Sequence, residues 1–235
     1  MNISSAIFDC SAPDLDSCPD ESLPEFAFIG RSNAGKSSLL NMLSGKNDLA
    51  RVSPTPGFTK LINIFTVDKT WRLVDLPGYG FAQVAREHSA RFNTAVSNYL
   101  QHRKNLCCVF ALIDSGLTPQ KIDLEFVQWL ATHSVPFVLV FTKTDKVTPT
   151  TVQANIAAFT ASITAWFETL PPIFTCSSVT RQGRVELLGM IGEALAVIQS
   201  QASQIVVAPD DSPAPSEKAG LQKASKRRPD ITRPW

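Results

Sequence analysis

Residues 30–37, GRSNAGKS, have the spacing G-x-x-x-x-G-K-[ST] that is typical of a phosphate-binding loop. They follow a buried-strand pattern, FAFIG at 26–30, and open a helical pattern, KSSLLNMLS at 36–44. Gly30 and Gly35 allow backbone N–H groups to turn toward an anion, and the helix N-terminus adds its positive dipole. Lys36 can then reach the β- and γ-phosphates of a nucleotide, and the Ser37 hydroxyl can bind Mg²⁺. The alternative is a glycine-rich turn before a helix, and the two flanking patterns favour the phosphate loop.

A second polar cluster, TKTD at 142–145, follows another buried-strand pattern about a hundred residues later. The Asp145 carboxylate can accept two hydrogen bonds from the N1–H and exocyclic amine of guanine, a pair that adenine does not offer. Lys143 can lay its stem along the purine ring, and CSS at 176–178 can add backbone and hydroxyl contacts. Alone, TKTD would be an ordinary solvated loop. After a phosphate loop at this distance, it predicts guanine specificity.

Two further loops lie between these motifs and can respond to the γ-phosphate. In DLPG at 75–78, Asp75 can hold Mg²⁺ through water and the Gly78 N–H can sense the phosphate. In SPTPGFTK at 53–60, Thr59 can give Mg²⁺ its second hydroxyl ligand. DLPG can also be a simple Pro-Gly turn, but its order along the chain favours a switch.

These motifs require elements that position them, and the chain alternates apolar extended runs with helical periodicity. The strand patterns lie at 26–30, 61–67, 71–75, 107–114, 137–142 and 173–177. Helical patterns follow residue 36, Pro119 and Pro149, and another carries Val185, Leu188 and Ile191. The sequence therefore predicts an α/β fold with about five helices around six strands, mostly parallel, with one antiparallel hairpin strand.

Composition limits the class of protein further. The chain has 235 residues, 44% hydrophobic and 18% charged, which suits one compact domain with a tail. Its densest apolar stretches have strand length and fall short of the roughly 20 residues that cross a bilayer. The first 25 residues hold six acids and no Lys or Arg, unlike a signal peptide, so we expect a cytoplasmic protein. We expect a folded domain over 23–202, with disorder in the acidic head 1–22 and the basic tail 203–235.

Together these motifs resemble the EngB (YihA/YsxC) family of bacterial ribosome-biogenesis GTP-binding proteins, within the translation-factor class of P-loop GTPases. The resemblance covers about residues 24–200 and is carried by PEFAFIGRSNAGKSSLLN, TPGFTKLINIF, VDLPGYGFA, ALIDS, FTKTDK and the CSS–RQG stretch. It implies a Ras-like fold, GTP or GDP with Mg²⁺, a role in large-subunit ribosome assembly, and a link to normal cell division and septation. The chain departs from the family at Gly116, where a basic residue is expected, and this departure concerns partner contacts.

Matched position by position, the resemblance assigns nucleotide contacts to five stretches and Mg²⁺ to Ser37 and Thr59. The phosphates would be held by Gly30, Arg31, Ser32, Asn33, Ala34, Gly35, Lys36 and Ser37. The switch contacts would be Gly57, Phe58, Thr59, Lys60, Leu61, Asp75, Leu76, Pro77 and Gly78. Guanine would be held by Thr142, Lys143, Thr144, Asp145, Cys176, Ser177 and Ser178.

The sequence also suggests a rate and a partner. Tyr79 stands near the point where Ras-type enzymes carry a Gln that orients the attacking water, so we predict slow intrinsic hydrolysis. Asn33 is a candidate K⁺ ligand by resemblance, or simply a turn residue. Residues 51–104 hold eight basic side chains against three acids, which predicts contact with rRNA phosphates of ribosomal particles, and we expect these to be phosphates of the large subunit. Separately, we expect no DNA or membrane partner.

Two alternatives remain open. A P-loop phosphotransferase, such as a small-substrate kinase, would share the phosphate loop but needs an acceptor pocket and an Arg-bearing lid, and it leaves TKTD unexplained. A related GTPase acting on tRNA or membranes would need an added domain or anchor. Competition between ATP and GTP in a binding assay distinguishes the kinase from the GTP-binding switch.

Overall fold

A seven-stranded sheet lies at the centre of the residues that the computed structural model describes, namely 1–50, 61–79 and 86–207. Side chains are described for all of these except 86–93 and 202–207. The strands, in chain order, are β1 Ala6–Ala12, β2 Glu25–Gly30, β3 Ile62–Val67, β4 Trp71–Asp75, β5 Leu106–Asp114, β6 Phe137–Thr142 and β7 Ile173–Thr175. Their spatial order is β1-β3-β4-β2-β5-β6-β7.

Five α-helices occur in the same residues: α1 Lys36–Ser44, α2 Arg86–His102, α3 Lys121–Thr132, α4 Pro149–Ile163 and α5 Arg184–Val207. Short 3-10 helices cover Thr144–Lys146 and Thr164–Trp166. Local chemistry explains where α4 begins, because Pro149 occupies its first turn and the Thr148 hydroxyl accepts the Thr151 N–H at 3.2 Å. Gly35 and Gly45, both with positive φ, flank α1.

The predicted α/β class is confirmed, and the sheet has the expected mixed character. β4, β2, β5, β6 and β7 run parallel to one another, as βαβ connections require. β3 is antiparallel to β4, which confirms the hairpin. The predicted number of six strands is wrong by one, because β1 adds a second antiparallel edge strand beside β3.

The extra strand comes from the acidic head, for which the sequence predicts disorder. That prediction is corrected over residues 6–12, which pair with β3 along its length. Ala6 and Ala12 are buried, and Asp68 fixes the approach by accepting the Ser5 N–H at 2.6 Å. Head acids such as Asp20 pair with basic side chains of the domain, so acidity here reflects ion pairing.

Both faces of the sheet are covered by helices. One apolar cluster joins the sheet to α1 and α5, with Phe28, Leu40 and Leu188 among its members. The other joins it to α2, α3 and α4 and includes Tyr99 and Phe159. The helical pattern after Pro149 is α4, and Phe159 and Ile163 place it in the core. Val185, part of the apolar pattern predicted for α5, is 76% exposed.

The chain divides into two compact units, residues 1–195 and residues 196–235. In the second unit, the described residues continue α5 to Val207, beyond the predicted domain end at 202. The predicted disorder of 208–235 falls outside the described residues. None of the described helices combines the length and the apolar character needed to cross a membrane.

Candidate nucleotide-binding site

The carboxyl ends of five parallel strands bring the sequence motifs to one edge of the sheet. β2 ends at Gly30, β4 at Asp75, β5 at Asp114, β6 at Thr142 and β7 at Thr175, next to Cys176. In open α/β sheets, ligands bind in the crevice at this edge. The structure therefore brings together the phosphate-loop, DLPG, TKTD and CSS residues.

The phosphate loop has the backbone conformation that its glycines allow. Gly35 has a φ of 89° and Asn33 a φ of 67°, and the Ala34 N–H donates to the Arg31 carbonyl at 2.9 Å. A Cβ at Gly30 would lie 2.8 Å from the Cβ of Leu112 on β5. This position therefore needs glycine so that β2 can enter the loop beside β5.

Lys36 and Asp75, predicted for phosphate and Mg²⁺, lie side by side. The Lys36 ammonium contacts the Asp75 carboxylate directly, and Asp75 is buried. This contact joins the start of α1, which also carries Ser37, to the end of β4. Hydroxyl and carboxylate oxygens are the donors that Mg²⁺ prefers, so the residues fit the ion. Within the described ranges, no three His, Cys, Asp or Glu side chains form a metal cluster.

The DLPG segment packs directly against the phosphate loop. The Leu76 N–H donates to the Phe28 carbonyl at 3.0 Å, and the Ser32 N–H donates to the Tyr79 carbonyl at 3.4 Å. A Cβ at Gly78 would lie 2.8 Å from the Gly30 carbonyl oxygen. Any side chain at Gly78 would therefore push this segment away from the loop.

The predicted base contacts form one connected group. The Ser177 hydroxyl donates to Asp145 Oδ1 at 2.6 Å, and this hydrogen bond lowers the pKa of the Asp145 carboxyl. Asp145 is therefore ionised at neutral pH, the state that accepts hydrogen bonds from guanine. The Thr144 N–H donates to the Cys176 carbonyl at 3.3 Å. Burial raises the pKa of the Cys176 thiol to about 12, so this side chain is a neutral packing group.

Thr142 connects the base and phosphate ends. Its hydroxyl donates to the Ala34 carbonyl at 2.7 Å and lies 3.2 Å from the Ile113 carbonyl. TKTD and the phosphate loop are consequently held in fixed relation, although they are separated by about a hundred residues of sequence.

Sequence reasoning assigned no role to two residues that support the base contacts. Asp114 Oδ2 accepts Lys143 Nζ at 2.7 Å, and its Oδ1 accepts the Gly116 N–H at 3.0 Å. Gln182 accepts the Ser177 N–H on its backbone oxygen at 3.2 Å and the Thr144 hydroxyl on its side chain at 3.1 Å. The sequence signal that could have identified Asp114 was its position at the end of a buried strand, at the same sheet edge as the motifs.

Some predicted residues have no structural test. Gly57, Phe58, Thr59 and Lys60 lie outside the described residues, and Leu61 is 41% exposed just before β3. The binding roles of all the predicted site residues, including Ser178, remain predictions.

The structure corrects the predicted basic surface for RNA. Arg72 and Arg103 are buried, and both contact Glu25, whose own exposure is 0%. They are structural ion pairs and cannot contact rRNA phosphates. Lys104 is the opposite case, with a side chain that is 85% exposed and 3.7 Å from Glu21.

Comparison with known proteins gives the family. A family model described as 50S ribosome-binding GTPase matches residues 25–143. A relative from Bacteroides fragilis named probable GTP-binding protein EngB is 47% identical over 81% of this chain and 95% of the relative. A relative of the same name from Christiangramia forsetii is 45% identical over 81% of this chain and 96% of the relative.

Solved structures agree on the fold. The crystal structure of a probable GTP-binding protein engB superposes with a TM-score of 0.59 at 24% identity, covering 73% of this chain and 98% of that one. The crystal structure of Era in complex with MgGDPNP and nucleotides 1506–1542 of 16S ribosomal RNA gives 0.58 at 21% identity, covering 72% and 55%. With the matching sequence motifs gathered at one edge of a GTPase fold, the chain belongs to the EngB family of GTP-binding proteins.

Proposed function

We propose that this protein is a GTP-operated switch that assists assembly of the large ribosomal subunit in the cytoplasm and is needed for normal cell division and septation. The observation that carries the proposal is the ionised Asp145, held by Ser177 at the same sheet edge as the phosphate loop. A carboxylate at this place selects guanine by accepting its hydrogen bonds. A switch needs only nucleotide binding, slow GTP hydrolysis and a partner that distinguishes the GTP-bound from the GDP-bound protein.

Each part of the nucleotide has residues suited to it. N–H groups at the start of α1 and the Lys36 ammonium face negative charge on the phosphates. Ser37 and Thr59 would bind Mg²⁺, with Asp75 acting through water, and the ion would neutralise phosphate charge. Asp145 accepts the guanine edge, while Asp114 holds Lys143 so that its stem can lie along the ring. The Gly78 N–H is the group placed to sense the γ-phosphate.

Hydrolysis is proposed to be slow without a partner. Tyr79 stands after DLPG, and its hydroxyl donates to Asp123 Oδ1 at 3.0 Å. A side chain engaged in this way does not orient an attacking water as Gln does in Ras-type enzymes. Asn33 is a candidate ligand for a stimulating K⁺, although its φ of 67° is equally explained by its place in a turn.

Ribosomal particles are the proposed partner. The family model that matches this chain is described by its 50S ribosome binding, and Era, with the same fold, has been crystallised with 16S ribosomal RNA. Exposed lysines such as Lys69 and Lys104 are available to rRNA phosphates, whereas Arg72 and Arg103 are not. The alternative, a small-substrate kinase, gives no reason for the Asp145–Ser177 hydrogen bond.

Two assays test the proposal. GTP should displace labelled GDP far better than ATP does, and Asp145→Asn should weaken GTP and favour xanthosine nucleotide, while Asp16→Asn at an exposed site should change neither. Equal affinity for ATP and GTP would refute the guanine assignment. Cosedimentation with ribosomal particles should differ between GTP, GDP and no nucleotide. Identical pelleting in all three conditions would refute the switch.

A further inference from the structure

Asp123 of α3 lies at a junction between the phosphate loop and the residue that follows DLPG. Its carboxylate accepts the Tyr79 hydroxyl on Oδ1 at 3.0 Å and faces Arg31 Nε from Oδ2 at 3.7 Å. The Asp123 side chain is 2% exposed, and Arg31 Nε is buried with no hydrogen-bond acceptor among the described residues. Asp123 is therefore the counter-ion of Arg31 as well as the acceptor of Tyr79.

Tyr79 is attached to the phosphate loop through its backbone. It forms a parallel bridge with Arg31, and its carbonyl accepts the Ser32 N–H at 3.4 Å. The preceding residue, Gly78, packs against the Gly30 carbonyl. A shift of Gly78 toward a γ-phosphate consequently changes the position of Tyr79 as well.

The Tyr79 ring continues onto a half-buried line of rings along α3. It stacks on Phe126 with a centroid distance of 4.4 Å and an interplanar angle of 29°. Phe126 is followed by Trp129 at 6.3 Å, and Trp129 by His133 at 4.3 Å. These rings recur at intervals of three and four residues, so they form one line along the helix.

We propose that Asp123 is a positioning residue that makes α3 follow Tyr79, so that the nucleotide state sensed at Gly78 is passed to the ring-bearing face of α3. This inference rests on the proposed GTP switch. A buried carboxylate that lost the Tyr79 hydroxyl would be left with Arg31 beyond hydrogen-bond distance, which is unfavourable. The lower-energy response is for α3 to move with Tyr79, because Asp123 is part of its first turn.

Hydrogen exchange of α3 amides tests this coupling in the full-length protein. The probes are GDP and a non-hydrolysable GTP analogue, each with Mg²⁺, and nucleotide occupancy is measured in the same samples. In the unmutated protein, exchange within residues 121–132 should differ about tenfold between the two nucleotides, the order of magnitude of one hydrogen bond to a charged group. In Tyr79→Phe, which keeps the ring stack and removes the hydroxyl, the difference should fall below about twofold.

Two further variants separate coupling from a merely structural role. Asp123→Asn should also reduce the nucleotide-dependent difference, because it removes the charge that faces Arg31. Glu125→Gln makes the same charge change on the same helix at a side chain that is 59% exposed, and it should leave the difference intact. A difference that persists in both Tyr79→Phe and Asp123→Asn would overturn the proposal, as would its absence from the unmutated protein with both nucleotides bound. Failure of the analogue to bind would instead count against the GTP switch itself.

Discussion

Glu25 is a buried charge outside the nucleotide site that contacts two arginines, and Glu25→Gln should destabilise the domain strongly. Its carboxylate is fully buried at the start of β2 and accepts Arg103 Nε at 2.9 Å and Nη2 at 2.6 Å. The Tyr99 hydroxyl donates to it at 2.6 Å, and Arg72 Nη1 lies 3.4 Å away. Glutamine keeps the size but removes the charge and places an N–H₂ group among donors.

The expected loss follows from what remains after the change. Arg72 retains Asp20 and Asp9 as nearby acids, but the acceptors that Arg103 keeps among the described residues are neutral backbone oxygens, such as the Pro19 carbonyl at 2.8 Å. Removing one partner of a buried ion pair costs about 3–5 kcal/mol, because the other charge stays buried. That is a large fraction of the roughly 5–15 kcal/mol that stabilises a typical domain.

Urea denaturation of the nucleotide-free protein measures this loss. The matched control is Glu21→Gln, whose Lys104 partner is exposed and 3.7 Å away, and it should change the free energy of unfolding by less than about 1 kcal/mol. Guanine-nucleotide affinity of the folded Glu25→Gln protein should stay within a few-fold, since β2 places Glu25 roughly 17 Å from the phosphate loop. A stability change below about 1 kcal/mol for Glu25→Gln would show that the carboxylate does not organise this cluster.

Three other changes address the nucleotide site and the partner. Asp114→Asn should speed GDP release about tenfold, because it frees Lys143. In a double-mutant cycle, the effect of Asp114→Asn should largely vanish when Lys143→Met is already present. Additive effects on the release rate measured by stopped-flow would show that Asp114 does not act through Lys143. Gly183→Ala should lower both the melting temperature and GTP affinity, because Gly183 has a φ of 80° and a Cβ there would overlap the Thr175 carbonyl oxygen. An unchanged melting temperature and affinity would contradict this. Lys104→Ala should lower by about one the slope of log binding constant against log salt concentration for ribosomal-particle binding. The control Lys121→Ala, whose side chain is similarly exposed and 3.7 Å from a Glu, should leave that slope unchanged. Equal slopes for the two variants in cosedimentation would place the RNA surface elsewhere.

The sequence predicted the parts of the fold whose signals are local. Each of the six predicted strand patterns is a strand, because a buried run such as residues 137–142 is too short for a helix and is bounded by turn residues. The phosphate loop, DLPG and TKTD were found for the same reason, since each is a short motif following a strand. Their meeting at one edge is a consequence of the fold, because parallel strands place their carboxyl ends together.

The errors arose where a residue's role depends on a distant partner. Acidity in residues 1–22 predicted disorder, yet Asp20, although its side chain is 75% exposed, lies 3.3 Å from Arg72, 52 residues later. Arg103 was counted as surface charge because its sequence neighbours are polar, and its partner Glu25 is 78 residues away. Charge is a reliable sign of exposure only when no opposite charge is brought beside it, and one sequence does not show that pairing.

The carboxyl-terminal end of α2 bears on how the switch would act. Its last turn is fixed, since Tyr99 and the adjoining Arg103 both bind the buried Glu25. Its first residue, Arg86, follows the segment that begins with DLPG and Tyr79. A change at Gly78 is therefore expected to be absorbed before the last turn of α2, because breaking the Glu25 cluster costs several kcal/mol, roughly 3–5. Tyr79, by contrast, contacts α3 directly through Asp123 and Phe126, so we expect α3 to be the element through which a partner senses the bound nucleotide.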